Sequence, residues 1–424
     1  MSYDLIEDAP FVSISEAATA LDASIDTIRR WEKKGLIKAH RSDTGHRLFQ
    51  ITELQRLKAK LFGAGDEHRY KILTAPSRTQ FKVIELFAGA GGLALGFHNA
   101  GLDCAMLVEI DKNPVETLRH NRPSWNVIHD DIANVDFQGI TADVVAGGFP
   151  CQAFSYAGKK LGFEDTRGTL FFEYARAIKE INPKVIVGEN VRGLEKHDSG
   201  RTLNTMLQIL DQLGYDVEYK VLRAQYLDVP QKRERLVMLG IRKDLKGAIA
   251  FPKEQDYTIS LREALKDVPD APGQKYTEKK SKVMSLVPEG GYWRDLPDDK
   301  QKEYMGASYF LGGGKTGMAR RLAWDEPSLT LTCNPAQKQT ERCHPKETRP
   351  LNVREYARIQ TFPDSWVFSG TVSSQYKQIG NAVPVNLGYH IGRCVIAMLS
   401  QKFDENNMDI YQRIKNKLYR KGRK

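Results

Sequence analysis

Two short stretches near the start of the chain carry apolar residues at helical spacing. The first helix is predicted to begin after Ser13, because Glu16 three residues later completes a capping box. The second is predicted over residues 24–33, where the apolar residues lie on one side of the helix, namely Ile25, Ile28 and Trp31. This spacing predicts two packed helices at the front of the chain.

A polar turn over residues 40–45 follows, flanked on both sides by a pair of apolar residues. This pattern is typical of a β-hairpin. Helical periodicity resumes over 51–61, so residues 1–62 are predicted to form one compact domain. Residues 63–79 contain glycine, proline and polar side chains and are predicted to be a linker.

From Phe81 onward, short apolar segments alternate with longer helical ones. The predicted strands are residues 82–86, 105–109, 127–129, 144–146, 185–187 and 236–239. Alternation of this kind predicts an α/β fold with a doubly wound, mostly parallel sheet. The rhythm lasts until about residue 244, so residues 80–244 are assigned to one α/β domain.

Residues 245–348 lose this alternation and are rich in Lys, Asp, Pro and Gly, which predicts a separate and less regular domain. Helical periodicity returns within residues 349–400, which are predicted to rejoin the α/β domain. The remaining residues, 401–424, end in a run of Lys and Arg and are predicted to be a basic tail.

The charge of the chain adds a hint about its partner. The 424 residues have a formal net charge of +10 and a pI of about 9.1. A basic protein often binds a polyanion, most commonly nucleic acid. A need for simple solubility explains the same charge, so the charge alone leaves both interpretations open.

The five cysteines are odd in number, and their spacing fits neither a zinc site nor a disulfide framework. We therefore expect no bound metal and a reducing, cytoplasmic location. No signal peptide opens the chain and no apolar run reaches about 18 residues, so no membrane contact is expected.

A glycine-rich turn, FAGAGG over residues 87–92, follows the first predicted strand of the α/β domain. Glycines allow a backbone to approach a ligand at the carboxyl end of such a strand. Glu109 ends the next strand, where a ribose-binding carboxylate is expected. Asp131 follows the third strand and could accept from an adenine amine. Both NAD and S-adenosylmethionine fit this pattern.

A cysteine follows the fourth predicted strand, in GGFPCQAFS over residues 147–155. Cys151 therefore lies at the sheet edge where ligands bind. Most free cysteines are buried and inert, but two later segments favour a reactive thiol. Glu189 follows a strand in the segment ENV, and Arg233 and Arg235 precede one in QKRER. Together these segments supply a nucleophile, an acid and fixed cations at one edge of the sheet.

In this order, the segments resemble the bacterial C5-cytosine DNA methyltransferases of restriction–modification systems. The resemblance covers residues 81–243 and 349–399, and it includes three further segments, DTRGTLFFE (165–173), REYARIQTFPD (354–364) and QIGNAVP (378–384). It implies a Rossmann-like methyltransferase fold with S-adenosylmethionine as the cofactor. It also implies that QIGNAVP returns beside the first strand to complete the cofactor site.

The resemblance also implies a role for each site residue. Cys151 is the implied nucleophile and Glu189 the implied partner of cytosine N3, with Arg233 and Arg235 near the flipped base and the DNA backbone. The residues implied around the cofactor are Phe87, Gly89, Gly91, Gly92, Glu109, Asp131, Pro150 and Asn381.

The chemistry of cytosine methylation needs such a set of groups. Cytosine C5 is a poor nucleophile toward a methyl sulfonium, and addition of a thiolate at C6 turns the ring into a reactive enamine. A carboxyl group that donates to N3 and an arginine near O2 stabilise the resulting charge. Because the target edge is hidden inside a duplex, the base must first flip out.

The family places a variable target-recognition domain between QKRER and REYARIQ, so residues 245–348 are its expected location here. Near its end, SLTLT over residues 328–332 is similar to the Thr-Leu recognition dipeptide of the family. Thr330 is therefore a predicted DNA contact.

Residues 13–60 resemble a MerR-type winged helix, in ISEAATALDASIDTIRRWEKKGLI followed by RSDTGHRLF. The resemblance implies DNA contacts from the recognition helix and the wing, made by Arg29, Arg30, Arg41 and Arg47. Between residues 27 and 60, ten Lys and Arg oppose three Asp and Glu, a local excess of +7. A solvated protein-interaction module would show a similar surplus, but DNA binding is the favoured interpretation. Control of the protein's own gene is one hypothesis for its role, and anchoring of the enzyme to DNA through phosphates is the alternative.

Three other interpretations remain open at the level of sequence. An RNA cytosine methyltransferase shares the same core, although the long interval after QKRER and the winged helix favour DNA. A DNA-binding regulator with a degenerate catalytic domain would not need every catalytic motif intact. An NAD enzyme would leave PCQ, ENV and QKRER unexplained. We expect a monomer that binds double-stranded DNA, with a cognate restriction endonuclease encoded nearby.

Overall fold

The computed structural model describes residues 11–21, 23–33, 35–42, 44–51, 53, 54, 57, 70–150, 169–310 and 315–411. The front domain contains two helices, α1 (Ile14–Ala20) and α2 (Ile25–Lys33). Its antiparallel sheet has the order β1-β3-β2, with strands β1 (Phe11–Ser13), β2 (His40–Arg41) and β3 (Arg47–Gln50). The predicted capping box and hairpin are both confirmed.

A small hydrophobic core holds the front domain together. Its buried side chains come from both helices, from the sheet and from the segment predicted as a third helix, and they include Ala17, Ile28, Trp31, Phe49, Leu54 and Leu57. Of the predicted third helix, residues 51, 53, 54 and 57 are described, and they are helical. Packing of amphipathic faces therefore stabilises this domain more than the propensities of its short helices do.

Within the described residues, a seven-stranded sheet forms the centre of the protein. Its strands are β4 (Lys82–Leu86), β5 (Asp103–Glu109), β6 (Val127–His129), β7 (Val144–Gly147), β8 (Val185–Val191), β9 (Tyr215–Arg223) and β11 (Glu234–Arg242). The strand order is β6-β5-β4-β7-β8-β11-β9, and β11 runs antiparallel to both of its neighbours while the other strands run parallel. The mostly parallel α/β sheet is confirmed.

Helices cover both faces of this sheet. On one face lie α3 (Gly92–Ala100), α4 (Lys112–Asn121), α10 (Val353–Ile359), α11 (Val372–Asn381) and α12 (Val385–Ser400). On the other face lie α5 (Leu170–Ile181) and α6 (Arg201–Gln212). Each face buries its own cluster of apolar side chains, so the sheet is doubly wound as predicted.

The return segment packs directly on the first helix of the α/β domain. A Cβ on Gly96 of α3 would lie 2.6 Å from the Cα of Gly388 on α12, so only glycine allows the two helices this close approach. Among the described residues, Val372–Ser400 is long and apolar enough to cross a membrane by composition, but 67% of its most apolar window is buried. It is therefore a core element of the protein.

The predicted tail is wrong for its first part. Strand β14 (Met408–Tyr411) pairs antiparallel with β12 (Ile249–Pro252), and the side chains of β12 are buried in the main core. Residues 249–252 therefore pack with the α/β domain, although the predicted boundary at 245 put them outside it. Each strand has only four residues, β12 ends in a proline and β14 is flanked by polar residues, so neither was predicted. Residues 412–424 lie outside the described residues.

The irregular domain has a small core of its own around Met284, Trp293 and Met318. Its helices are α7 (Leu261–Ala264), α8 (Glu278–Met284) and α9 (Asp298–Met305), and α7 packs in the main core. Strands β10 (Gln231–Lys232) and β13 (Ser328–Leu329) pair in parallel and join this domain to the α/β domain.

A buried arginine organises the irregular domain. The guanidinium of Arg321 donates to four backbone carbonyls and one hydroxyl, on Met284, Val287, His344, Glu347 and Thr348. These acceptors come from two separate segments, and a fixed planar donor can satisfy them together. The side chain thus replaces regular secondary structure as the link between the segments.

The described part of the predicted linker is bound to the α/β domain. The hydroxyl of Tyr70 donates to the carbonyl of Arg358 at 2.9 Å. The side-chain amide of Asn386 bonds in both directions, accepting from the Leu73 N–H at 3.0 Å and donating to the Lys71 carbonyl at 2.9 Å. Residues 70–73 are therefore fixed to the core, and residues 58–69 lie outside the described residues.

Candidate active site

A cavity of about 920 Å³ opens at the edge of the sheet where β4, β5, β7 and β8 end. Because β11 is antiparallel, its first residues reach the same edge. Nine of the predicted site residues line this cavity: Phe87, Gly89, Gly92, Glu109, Pro150, Glu189, Arg233, Arg235 and Asn381. Ligands in open α/β sheets bind at this edge, so the cavity is the candidate active site.

The glycine loop has a backbone that requires glycine. Gly91 has a φ of 82°, and a Cβ there would lie 2.5 Å from a side-chain carbon of Leu118. A Cβ on Gly92 would lie 2.1 Å from the carbonyl oxygen of Val383, so the loop also touches the return segment. At Gly89, with a φ of 54°, a Cβ would meet no atom within 4 Å. The loop is therefore packed on one side and open toward the cavity on the other.

Glu109 holds this loop in place. One carboxylate oxygen accepts from the Gly89 N–H at 2.7 Å, and the other accepts from the Asp111 N–H at 2.8 Å. A carboxylate has about four acceptor positions, so both oxygens keep a lone pair for further hydrogen bonds. Glu109 can thus order the loop and still accept from a ligand.

Two predicted cofactor residues do not line the cavity. Gly91 shapes the turn from behind, against Leu118. Asp131 is exposed, and its carboxylate accepts from the Ala133 N–H at 3.0 Å and thereby caps a short 3₁₀ helix, Ile132–Asn134.

The turn that carries the predicted nucleophile is anchored by its neighbours. The side-chain amide of Asn190 donates to the Phe149 carbonyl at 2.8 Å, and the ring of Phe149 packs against Phe171 and Tyr174. Pro150 lines the cavity. Cys151 itself lies outside the described residues, but the residue directly before it reaches the cavity.

Glu189 lies on the cavity wall between an arginine and a glycine. Its carboxylate is 2.9 Å from Nε of Arg235, and both side chains are largely buried. A Cβ on Gly148 would lie 3.1 Å from the other carboxylate oxygen, so glycine at this position leaves room for the acid. The register of β8 and β11 places Glu189 opposite Val237, which fixes the backbone from which the acid projects.

Comparison with known proteins identifies the chain. The model of C-5 cytosine-specific DNA methylases matches residues 81–397. The chain belongs to this family. It is therefore a DNA (cytosine-5-)-methyltransferase. A second model, of MerR family regulatory proteins, matches residues 13–49, which supports a helix-turn-helix assignment for the front domain.

Individual relatives agree with the family assignment. The chain is 56% identical to the type II methyltransferase M.Eco47II of Escherichia coli over 402 residues, which cover 92% of this chain and 96% of that protein. It is 60% identical to the type II methyltransferase M.PspPI of Psychrobacter sp. (strain TA137), over 77% of this chain and 81% of that protein. The crystal structure of S. pombe Dnmt2 methyltransferase aligns with 76% of this chain over 99% of its own length, with a TM-score of 0.54 and 18% sequence identity. The two proteins therefore share the fold.

Arg233 was predicted near the flipped base, and the structure shows that its guanidinium binds the protein instead. It donates to the carbonyls of Leu331 at 3.2 Å and of Gly380 and Ala382 at 3.1 Å. The side chain is buried, and burial together with the nearby Arg235 lowers its pKa. Arg233 therefore ties the irregular domain to the return segment at the cavity wall, and Arg235 is the arginine next to the acid.

This difference between the two arginines is testable. Arg233→Ala leaves the buried carbonyls of Leu331 and Gly380 without a described donor, while Gln360 still donates to that of Ala382, so we expect a loss of stability of about 2–5 kcal/mol in denaturant unfolding together with weaker cofactor binding. Arg235→Ala, the matched control two residues away, should keep cofactor affinity and lose methylation rate. Equal cofactor affinity in the two variants would show that Arg233 does not support the cofactor side of the cavity.

Glu85 and Cys333 are among the cavity residues that sequence reasoning missed. The carboxyl group of Glu85 on β4 is fully buried, and burial, followed by the nearby Glu109 and Glu189, raises its pKa. Within the described residues its Oε2 has no hydrogen-bond partner. The thiol of Cys333 donates to the side-chain oxygen of Asn381 at 3.0 Å. An acid inside an otherwise apolar strand was the signal for Glu85, whereas Cys333 carried none. No group of His, Cys, Asp and Glu in the described chain could hold a metal ion.

A basic groove of about 350 Å³ adjoins the cavity. It shares Val191, Arg233 and Arg235 with the cavity and continues along side chains that include Arg192, Arg223, Lys232 and Thr330. The hydroxyl of Thr330, a predicted DNA contact, donates to the Lys232 carbonyl at 2.7 Å and lines this groove. A groove with several cations beside the active site fits a nucleic-acid backbone.

The predicted DNA contacts of the front domain have different environments. Arg29 is exposed and pairs with Asp26 at 3.1 Å. Arg41 is exposed and donates to the Gly45 carbonyl across the hairpin turn, and Arg47 pairs with Glu32 at 2.8 Å. Arg30 differs from the prediction, because its guanidinium forms an ion pair with Asp325 of the irregular domain and is mostly buried.

Proposed function

We propose that the protein transfers a methyl group from S-adenosylmethionine to C5 of a cytosine that has flipped out of a specific duplex DNA sequence. The observation that carries this proposal is the cavity that gathers Glu189, Arg235, Pro150 and the glycine loop at one sheet edge. The adjoining basic groove and the interval between QKRER and the return segment favour duplex DNA as the substrate.

The residues present fit S-adenosylmethionine. Gly89 leaves open space where a side chain would intrude, and Glu109 has free acceptor positions for ribose hydroxyls. The buried Oε2 of Glu85 has no described partner, and an ammonium group would satisfy it. Phe87, Pro150 and Asn381 would complete the cradle. When bound, the cofactor supplies an electrophilic methyl group on sulfur.

Replacement of Glu109 by alanine is expected chiefly to weaken cofactor binding. The change removes charge-assisted hydrogen bonds worth about 1.5–3 kcal/mol each and releases the Gly89 N–H that orders the loop. Calorimetric titration with S-adenosylmethionine measures the loss. Glu116→Ala is the matched control, because its exposed carboxylate on α4 lies outside the cavity and pairs with Lys112 at 3.7 Å. Unchanged affinity in Glu109→Ala would remove Glu109 from the cofactor site.

The chain's own residues divide the catalytic work. Cys151 adds as a thiolate to C6 of the flipped cytosine, forming a C–S bond while the ring's electrons move toward N3. Glu189 donates a proton at N3, and Arg235 fixes the acid in position. After methylation at C5, the C5 proton leaves to solvent and the electrons of that C–H bond expel the thiolate from C6. N3 returns its proton to Glu189, which restores the aromatic ring and the enzyme.

The type II methyltransferases among the relatives support a place in a restriction–modification system, where methylation protects host DNA from a partner endonuclease. On this proposal the protein acts in the cytoplasm on chromosomal DNA. Bisulfite sequencing of DNA from cells that express the chain tests the proposal directly. We expect the cytosines of one DNA sequence context to resist bisulfite conversion. If no DNA cytosine resists conversion while RNA cytosines do, the RNA alternative is favoured.

The front domain adds a second DNA-binding element on this proposal. Its match to MerR family regulatory proteins, its local charge excess of +7 and its exposed Arg29 and Arg41 support DNA contact. Control of the protein's own gene is the function we propose for it, because a methyltransferase must act before any partner nuclease does.

A further inference from the structure

The recognition helix α2 of the front domain is packed against the irregular domain. Arg30 forms an ion pair with the Asp325 carboxylate and donates to the Glu289 carbonyl at 3.2 Å. The hydroxyl of Thr27, one turn earlier on the same face of α2, lies 3.5 Å from a carboxylate oxygen of Glu289. Two positions of one helical face therefore contact one short surface, which we call the docking surface (residues 287–291 and 323–326).

The fit at the docking surface is close and largely dry. The side chain of Asp325 is 2% exposed and that of Arg30 is 13% exposed. A Cβ on Gly290 would lie 2.0 Å from the Arg30 guanidinium, so the absence of a side chain there makes room for the arginine. The carboxylate oxygen of Glu289 that Thr27 contacts is also held within the irregular domain, since it accepts from the Trp324 N–H at 3.0 Å.

The two faces of α2 differ in what they are free to do. The face with Thr27 and Arg30 is turned to the docking surface, while Asp26, Arg29 and Lys33 remain exposed. A helix-turn-helix reads DNA with residues in the first turns of its recognition helix. In the docked position, Thr27 and Arg30 of those turns contact the docking surface of the same chain instead of DNA.

We propose that docking withholds Arg30 from DNA, so that the front domain exchanges between a docked position and a released position that binds DNA with its whole recognition helix. The ion pair with Asp325 favours the docked position until DNA phosphates compete for the guanidinium. This inference rests on the proposed DNA-binding role of the front domain and adds its regulation.

The position of the docking surface links it to the catalytic side of the protein. Glu326, the residue after Asp325, pairs with Lys232 at 2.5 Å, and Lys232 belongs to QKRER. Strand β13 begins two residues later and pairs with β10. The docking surface is thus part of the segment that joins the irregular domain to the active-site edge, where target binding takes place.

The experiment uses the full chain and a duplex built only of A·T pairs, which contains no cytosine target. Asp325→Asn removes the ion pair and keeps Arg30 available. Asp298→Asn is the matched control, because it removes the same charge from an exposed position of the same domain. Hydrogen–deuterium exchange reports docking, and the salt dependence of duplex affinity reports the number of phosphate contacts.

We expect residues 24–33 and 287–291 to exchange faster in Asp325→Asn than in Asp298→Asn. We also expect the slope of log K against log salt to be steeper in Asp325→Asn by about 0.9, which corresponds to one additional phosphate contact. Adding Arg30→Ala to Asp325→Asn should return the slope to that of the control. Equal exchange in Asp325→Asn and Asp298→Asn would overturn the docking. Raised exchange with an unchanged slope would overturn the withholding of Arg30.

Deletion of residues 1–62 separates this inference from the function on which it rests. Weaker binding of the A·T duplex by the deleted protein supports a DNA-binding role for the front domain. If the deletion leaves duplex affinity unchanged, the DNA-binding role fails, whatever the exchange data show about docking. Unchanged cofactor affinity in every variant verifies that the α/β domain is folded.

Discussion

Cys151→Ser is expected to abolish methyl transfer while S-adenosylmethionine still binds. A serine hydroxyl is a far weaker nucleophile than a thiolate, so the rate should fall by at least about 10³-fold, as happens when an enzyme loses its covalent nucleophile. The residues before it support the assignment, since Asn190 anchors the Phe149 carbonyl and Pro150 lines the cavity. The measurement is single-turnover methylation of duplex DNA, with cofactor affinity determined by calorimetry.

A trapping experiment gives the same mechanism a second readout. Duplex DNA that contains 5-fluorocytosine should form a heat-resistant complex with the wild-type protein, because fluorine cannot leave C5 as a proton does. Cys333→Ser, which alters the other thiol of the cavity, should still form the complex, and Cys151→Ser should not. Methylation by Cys151→Ser at nearly the wild-type rate would end the covalent mechanism.

The strands that the sequence predicted well are short, and a clear turn follows each of them. Residues 82–86 and 127–129 were predicted with the bounds that β4 and β6 have, because the run of β4 is apolar and both strands end at clear turns. Strand β9 was not predicted. It lies at the edge of the sheet, and its alternation of polar and apolar residues is typical of an antiparallel strand with one exposed face. The strands were predicted from continuous apolar runs, and β9 has none.

In the candidate site, features within one short motif could be predicted from the sequence, whereas contacts between distant segments could not. Nine of the predicted site residues line the cavity, because each motif lies in a turn at the end or the start of one strand. They did not reveal what Arg233 and Arg30 bind. The acceptors of Arg233 are 98 to 149 residues away, and Asp325 is 295 residues from Arg30. Contacts between distant segments depend on how the domains pack, and no local pattern records that packing.

Glu189→Gln carries the second large expected effect. Glutamine keeps the shape of the side chain but cannot deliver a proton to N3, so the charge that builds up during thiolate addition is not neutralised. We expect a fall of about 10²–10⁴-fold in the single-turnover rate, the usual contribution of a positioned acid or base. The formation rate of the 5-fluorocytosine complex should fall in parallel, since addition at C6 is the step that needs the proton.

Two controls make the Glu189 result specific. Glu234→Gln changes a neighbouring carboxylate on β11 that pairs with Arg192 at the rim, and it should retain most of the rate. Cofactor affinity should be equal in both variants, because on the proposed function Glu189 acts on the base while the glycine loop would hold the cofactor. If Glu189→Gln methylates within a few-fold of the wild type, the proton at N3 does not come from Glu189. If it loses cofactor binding as well, the residue supports the cavity and the 2.9 Å contact with Arg235 is structural.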